Sequence, residues 1–284
     1  MSAVTFFILA FSPGVFWLWY FIRLDAYRPE PRKLIAYTFL LGCISTIPAL
    51  ILEGIFLDEA IFDTDLEFGS LALAMLLVVG PVAELCKFAV VRWLPYRSLY
   101  FAEAVDGLTF AAAASLGFAS LENLGYIIAF GPEVMLVRAP ISTLAHLVFG
   151  SIWGYGLGLH VQSGYNRTSI VVAAILIAAF VHGAFNVGAF ANPVIAILIV
   201  IAGGYWAVSR FRWGRRISPF RHKRNYPQIR CSSCHGLIRI TSSFCRFCGI
   251  QGSRSAESLF CGNCGHQNRR DAAYCTDCGD LLMS

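Results

Sequence analysis

The sequence predicts an all-α polytopic membrane bundle of about seven transmembrane helices, followed by a small cysteine-rich module. Three observations carry this. Of 284 residues, 57% are hydrophobic and 14% charged, whereas a soluble domain has roughly 25% charged residues. Apolar runs near the length of about 20 residues that a bilayer core requires recur seven times before Trp213. Eight of the ten cysteines fall between Cys231 and Cys278. The chain thus divides into a membrane domain over 1–213, a basic juxtamembrane linker over 214–230 and a tail over 231–284.

The spans are expected at 3–22, 34–57, 70–94, 103–130, 138–160, 169–191 and 193–211. The first lacks a positive n-region and a small-residue cleavage site, so it reads as a retained helix. The fourth is too long for one upright crossing and is expected to tilt, or to break near Gly117 or Gly125.

Loop charges then give orientation. Arg23, Arg28, Arg32 and Lys33 follow the first span, Arg92 and Arg97 the third, and Arg167 the fifth, so these loops read as cytoplasmic. The second loop holds Asp58, Glu59, Asp63, Asp65 and Glu67 without Lys or Arg, and reads as external. The fourth, with Glu133 beside Arg138, is uninformative. Seven spans that start outside end inside, where Arg210, Arg212, Arg215, Arg216, Arg221, Lys223 and Arg224 follow.

The tail repeats at an offset of 30 residues: Cys231-x-x-Cys234 and Cys245-x-x-Cys248, then Cys261-x-x-Cys264 and Cys275-x-x-Cys278. Two such knuckles place four thiolates around one tetrahedral Zn²⁺ at about 2.3 Å. The tail is expected to be a double zinc ribbon, 231–249 and 261–279, holding two structural Zn²⁺ that supply much of its folding energy. Disulfides are the competing reading, and a reducing cytoplasm disfavours them. The basic linker is explained by topology and by anionic lipid headgroups. A cytoplasmic protein partner or a substrate is therefore the expected ligand of the ribbons, rather than nucleic acid.

Within the bundle, Glu84, Glu122, His146 and His182 stand in four different apolar spans. An ionisable group at bilayer depth costs about 2.5–3.5 kcal/mol or more, so such groups usually face a protein-lined cavity. Lys87, at i+3 from Glu84, can neutralise it or hold it ionised as a general base requires. His182 and Asn186 share one helix face, as an interhelical hydrogen-bonding pair would. His146 heads the close-packing stripe Gly150, Gly154, Gly158. Counting about 1.5 Å per residue from the cytoplasmic ends, Glu84 lies roughly 15–18 Å up, both histidines about 20 Å and Glu122 about 28 Å. Asp106 is about 160° around the helix from Glu122, so the two do not share a face. Cys43 and Cys86 read as small apolar fillers. Carboxylates and imidazoles converging in a membrane permit water activation for peptide cleavage, or proton relay in transport. No inverted repeat of the transporter kind is evident.

The Glu84-x-x-Lys87 core, the run from Asp106-Gly107 through Gly117-Phe118-Ala119 to Glu122-Asn123, His146 and His182-Gly-x-Phe-Asn186 resemble the PrsW family of intramembrane proteases. That family is related to CAAX-processing and bacteriocin-processing enzymes. Arg28-Pro29-Glu30-Pro31 is also similar to the family's segment after its first helix, and the likeness covers about residues 15–190. It implies a helical protease of the prokaryotic cell membrane that cuts membrane-anchored proteins, anti-sigma factors among them. Placed on this chain, the pattern makes Glu84 the base that takes a proton from water. His146 and His182 then position the water or stabilise the oxyanion, with Asn123 or Asn186 donating a hydrogen bond. Glu122 becomes a second acid/base or an orienter of a histidine, and Asp106 a supporting residue. A catalytic metal held by two histidines and a carboxylate is the rival arrangement. No His-Glu-x-x-His motif is present, which favours the metal-free glutamic form.

The family's two adjacent glutamates are here Ala83 and Glu84. If the missing carboxylate were essential, the chain would be an inactive scaffold that binds client helices and recruits partners through its ribbons.

Overall fold

The structure is a computed structural model that describes residues 2–24, 29–57, 68–164, 166–220, 228–239, 245, 247–250, 258–269, 275, 277 and 282. Among the residues invoked above, Arg28, Asp58, Glu59, Asp63, Asp65, Glu67, Arg221, Lys223, Arg224 and Cys278 lie outside that set. The chain separates into two compact units, one of Met1–Asp25 with Pro29–Gly214 and another holding Arg215–Ser284.

Among the described residues, seven helices are long and apolar enough to cross a membrane: α1 (Ala3–Leu24), α2 (Arg32–Phe56), α3 (Phe68–Arg97), α4 (Ala104–Phe130), α5 (Pro132–Gln162), α6 (Thr168–Ala191) and α7 (Pro193–Arg216). They match the expected spans to within three residues, except that α5 begins six residues earlier and α7 ends five residues later. Large apolar side chains on the outside of the bundle, such as Leu50, Ile55, Leu77, Phe180 and Leu198, are exposed. That is the surface a lipid environment requires of a multi-pass membrane protein.

Helix α4 is the axis of the bundle: 94% of its most apolar window is buried, against 17% for α7. Burial on every side explains why it shows no amphipathic stripe. It runs unbroken through Gly117 and Gly125. Small residues let its neighbours come close. A Cβ on Gly117 would overlap the Phe39 carbonyl of α2, and one on Gly107 the Gly154 carbonyl of α5. The Thr46 hydroxyl donates to the Phe118 carbonyl at 3.2 Å, fixing α2 against α4. At its start, Glu103 and Asp106 form a reciprocal capping box, which satisfies amides left orphaned at a helix N-terminus.

Two helices contain π-turns, Met75–Val79 in α3 and Arg138–Ser142 in α5. Each lies beside or contains a proline, Pro81 and Pro140 respectively. A proline has no N–H for the helical ladder, and a widened turn absorbs the defect. Each turn precedes a polar residue of the cluster described below.

In the second unit, β1 (Gln228–Arg230) pairs antiparallel with β2 (Leu237–Arg239), and β3 (Ser258–Phe260) with β4 (Gln267–Arg269). Each hairpin carries one cysteine knuckle in its turn.

Candidate active site

Two glycines bring the first two site residues together. A Cβ on Gly80 of α3 would overlap the backbone of α6 at Ala179 and Gly183, and one on Gly183 would overlap α3 at Met75 and Leu76. With the backbones touching, Glu84, one turn beyond Gly80, reaches His182, the neighbour of Gly183. His182 Nδ1 lies 2.8 Å from Glu84 Oε1.

Glu84 is fully buried and meets two further donors. Lys87 Nζ donates to Oε1 at 2.5 Å, and the Trp153 indole Nε1–H donates to Oε2 at 2.9 Å from α5. The carboxylate is thereby held by an ammonium, an imidazole and an indole. Lys87, itself fully buried, also lies 3.2 Å from His146 Nδ1 and 4.8 Å from the Phe118 ring centroid. An ammonium has only protons to offer, so His146 Nδ1 accepts and the imidazole proton sits on Nε2. That nitrogen is 2.8 Å from Glu122 Oε2.

The arrangement continues to Arg138, whose Nη2 is 3.2 Å from the same Glu122 oxygen. Arg138 Nε donates to Asn123 Oδ1 at 2.9 Å, and its guanidinium stacks 3.6 Å from the Tyr126 ring centroid. Asn123 Nδ2 donates in turn to Thr143 Oγ1 at 3.1 Å. Glu84, Lys87, His146, Glu122 and Asn123 therefore belong to one network, with His182 attached at Glu84.

The remaining candidates fall elsewhere. Asp106 accepts the Ala102 and Glu103 amides at 2.6 and 3.0 Å, at the start of α4. Asn186, one turn beyond His182, is half-buried and has no hydrogen-bond partner among the described residues. With Nδ1–H donating to Glu84, His182 keeps a lone pair on Nε2. Its ring is steadied by stacking on Phe149 at 4.7 Å and lies 5.1 Å from the ring of His146. Ala83 is buried against Ala49 and Phe118, where α2, α3 and α4 meet.

Three residues of this region were not expected from the sequence. Trp153 stands two turns from His146 on the same face, which is its only signal. Arg138 reads in the sequence as a loop charge beside Glu133. Glu53 on α2 is an ionisable group within an apolar span, the same signal that marked Glu84. It lies within electrostatic range of Glu122 and Lys87.

The profile described as PrsW family intramembrane metalloprotease matches residues 30–209. The chain belongs to the PrsW family. Among its relatives, Protease PrsW of Geobacillus kaustophilus is 31% identical over 175 residues, covering 62% of this chain and 75% of that protein. Protease PrsW of Halalkalibacterium halodurans is 29% identical over 177 residues, 62% of this chain and 80% of the relative. Protease PrsW of Bacillus subtilis is 28% identical over 176 residues, 62% and 78% respectively. No solved structure matches.

The PrsW family description names a metalloprotease, which requires a donor set that fits a dication. The described groups of three or more His, Cys, Asp or Glu whose ligand atoms lie within 4.8 Å of one another are both in the tail. In the bundle, the Lys87 ammonium bridges Glu84 and His146, and the Glu84 oxygens already hold three donors. A dication there would stand against that ammonium. As arranged, these residues do not fit one.

The tail of this PrsW-family chain has donors that do suit a metal ion. The Sγ atoms of Cys231, Cys234, Cys245 and Cys248 converge, as do those of Cys261, Cys264 and Cys275. Backbone N–H groups of Cys234 and Ser233 at the first knuckle lower the Cys231 thiol to about 6. The residue after each described knuckle is left-handed, with φ of 56° at His235, 73° at Gly249 and 66° at Gly265. Its N–H closes the turn onto the carbonyl of the knuckle's first cysteine, at 3.0, 2.7 and 2.7 Å respectively.

Proposed function

We propose that this chain is an intramembrane endopeptidase that cleaves membrane-anchored proteins without a catalytic metal, using water activated by Glu84 and His182. The observation that carries the reading is the buried Glu84 carboxylate hydrogen-bonded to His182, whose second nitrogen has no hydrogen-bond partner among the described residues. An imidazole oriented by a buried carboxylate presents its other nitrogen as a base. Water adds to the scissile carbonyl carbon as its proton passes to His182 Nε2, and the Glu84 charge stabilises the resulting imidazolium. Collapse of the tetrahedral intermediate breaks the C–N bond. The proton then leaves Nε2 for the departing amine, giving a new carboxylate and a new amine terminus.

Lys87 holds Glu84 ionised, and His146, backed by Glu122, fixes Lys87. Asn186 shares a face with His182 and has its amide free to donate to the oxyanion. Asn123 is already engaged by Thr143 and Arg138 and acts as a support. The loop charges support an external N-terminus and a cytoplasmic tail. In the tail, the all-cysteine donor sets support two structural Zn²⁺ in a module that docks a protein partner.

The inactive-scaffold reading is tied to Ala83. That side chain fills a contact between α2, α3 and α4, and all three donors to Glu84 are in place without it, which favours the enzyme. The deciding experiment is cleavage of tagged single-span proteins in liposomes by wild type, Glu84→Gln, His182→Gln and Ala83→Glu, with and without a chelator. Fragments from wild type that persist under chelation and vanish in Glu84→Gln and His182→Gln are expected. Fragments from Ala83→Glu alone would establish a lapsed enzyme instead.

A further inference from the structure

Among the described residues, Glu53 is a carboxylate near the catalytic network that the network does not use. Helices α2 and α4 run parallel, as the contacts of Gly42 with Ala114, Cys43 with Gly117 and Thr46 with Phe118 show. Ala49, Ala83 and Phe118 form one layer between α2, α3 and α4. Glu53 is one turn beyond Ala49, and Glu122 one turn beyond Phe118, so the two carboxylates occupy the next layer toward the Phe56 end of α2. Their electrostatic coupling agrees with that placement, and Lys87, Cys86 and Tyr126 are also within range of Glu53.

The charges of this region do not balance. Glu84 is paired with Lys87 and Glu122 with Arg138. Glu53 is half-buried, and its carboxylate forms no hydrogen bond or ion pair among the described residues. The ten residues that follow α2, 58–67, contain no Lys or Arg to offer it. A carboxylate in an apolar span without a cation is costly, and a basic side chain entering the site relieves that cost.

We infer that Glu53 is a specificity-determining residue that receives a lysine or arginine side chain of the substrate, on the side of the scissile bond facing the Phe56 end of α2. One helical turn outward is about 5.4 Å. An extended substrate advances about 3.3 Å per residue, so the basic residue stands about two positions from the cut. The inference rests on the peptidase reading and adds a substrate class to it.

The test uses the full chain in liposomes and three matched single-span substrates with Lys, Gln or Glu two positions from the mapped cut. Wild type is compared with Glu53→Gln and Glu53→Lys, each first shown to melt in a single transition near that of wild type. A wild-type KM about tenfold lower for the Lys than for the Glu substrate is expected, a difference of about 1.4 kcal/mol. The Lys-to-Glu ratio should fall to near one in Glu53→Gln and invert in Glu53→Lys. An identical ratio in all three enzymes would overturn the inference. So would a fall in kcat on every substrate alike in Glu53→Gln, which would assign the residue to proton handling. Equal cleavage of all three substrates by wild type removes this inference alone, whereas no cleavage of any removes the peptidase reading with it.

Discussion

Trp153 donates its indole N–H to Glu84 across 69 positions of sequence, at 2.9 Å, with both side chains fully buried. Trp153→Phe keeps much of the aromatic volume and its edge-on contact with Phe88, but leaves a buried carboxylate oxygen without its donor. Such a loss costs about 1–3 kcal/mol. Cleavage kinetics should show kcat reduced by about ten- to a hundredfold, with the helical spectrum retained. Wild-type kcat in the variant would remove Trp153 from the site.

The glycine contact between α3 and α6 is predicted to be decisive. In Gly183→Ala the new Cβ has no room against Met75 and Leu76, and the strain of such overpacking is about 1–3 kcal/mol. Gly125→Ala, on the central helix, meets no atom within 4 Å. Thermal unfolding in detergent should show a lowered melting temperature for Gly183→Ala and little change for Gly125→Ala. Cleavage should fall in the first alone, because Glu84 is moved away from His182.

Arg138 should act through Glu122. The guanidinium and the His146 imidazole meet the same carboxylate oxygen. Arg138→Gln and Glu122→Gln are each expected to slow cleavage, and the double variant to be no slower than the worse single. A coupling of about 1 kcal/mol or more is the signature of one unit. Additive losses in the cycle would show that Arg138 serves the fold independently. A changed pH profile in Arg138→Gln is also expected, since a merely structural loss would leave its shape alone.

In the tail, His235 occupies the left-handed position that glycine fills after the other described knuckles. A side chain there costs about 1–2 kcal/mol. His235→Gly should therefore make the first site hold its metal more tightly in chelator competition, and Gly265→Ala should weaken the second. Metal analysis is expected to give two zinc ions per chain. Stripping them should unfold the hairpins while cleavage by the bundle continues.

The sequence by itself determined the seven helices, the division into bundle and tail, and the cysteine spacing that gathers thiolates into two sets. These follow from local patterns: an apolar run of bilayer length allows little but a helix, and two CxxC knuckles are geometric templates. It also marked Glu84, His146 and His182, because a polar group within an apolar run is conspicuous wherever its partner lies. Only the tertiary structure decided which of these groups touch. The partnerships of Glu84 with Trp153 and of Glu122 with Arg138 depend on how helices rotate and approach. That is set by glycine contacts such as Gly80 with Gly183, and such contacts leave no periodic mark in either strand of sequence. For the same reason Asp106, a motif residue by its spacing, is found capping a helix, while Glu53 lies one turn beyond Ala49, at the contact of α2, α3 and α4.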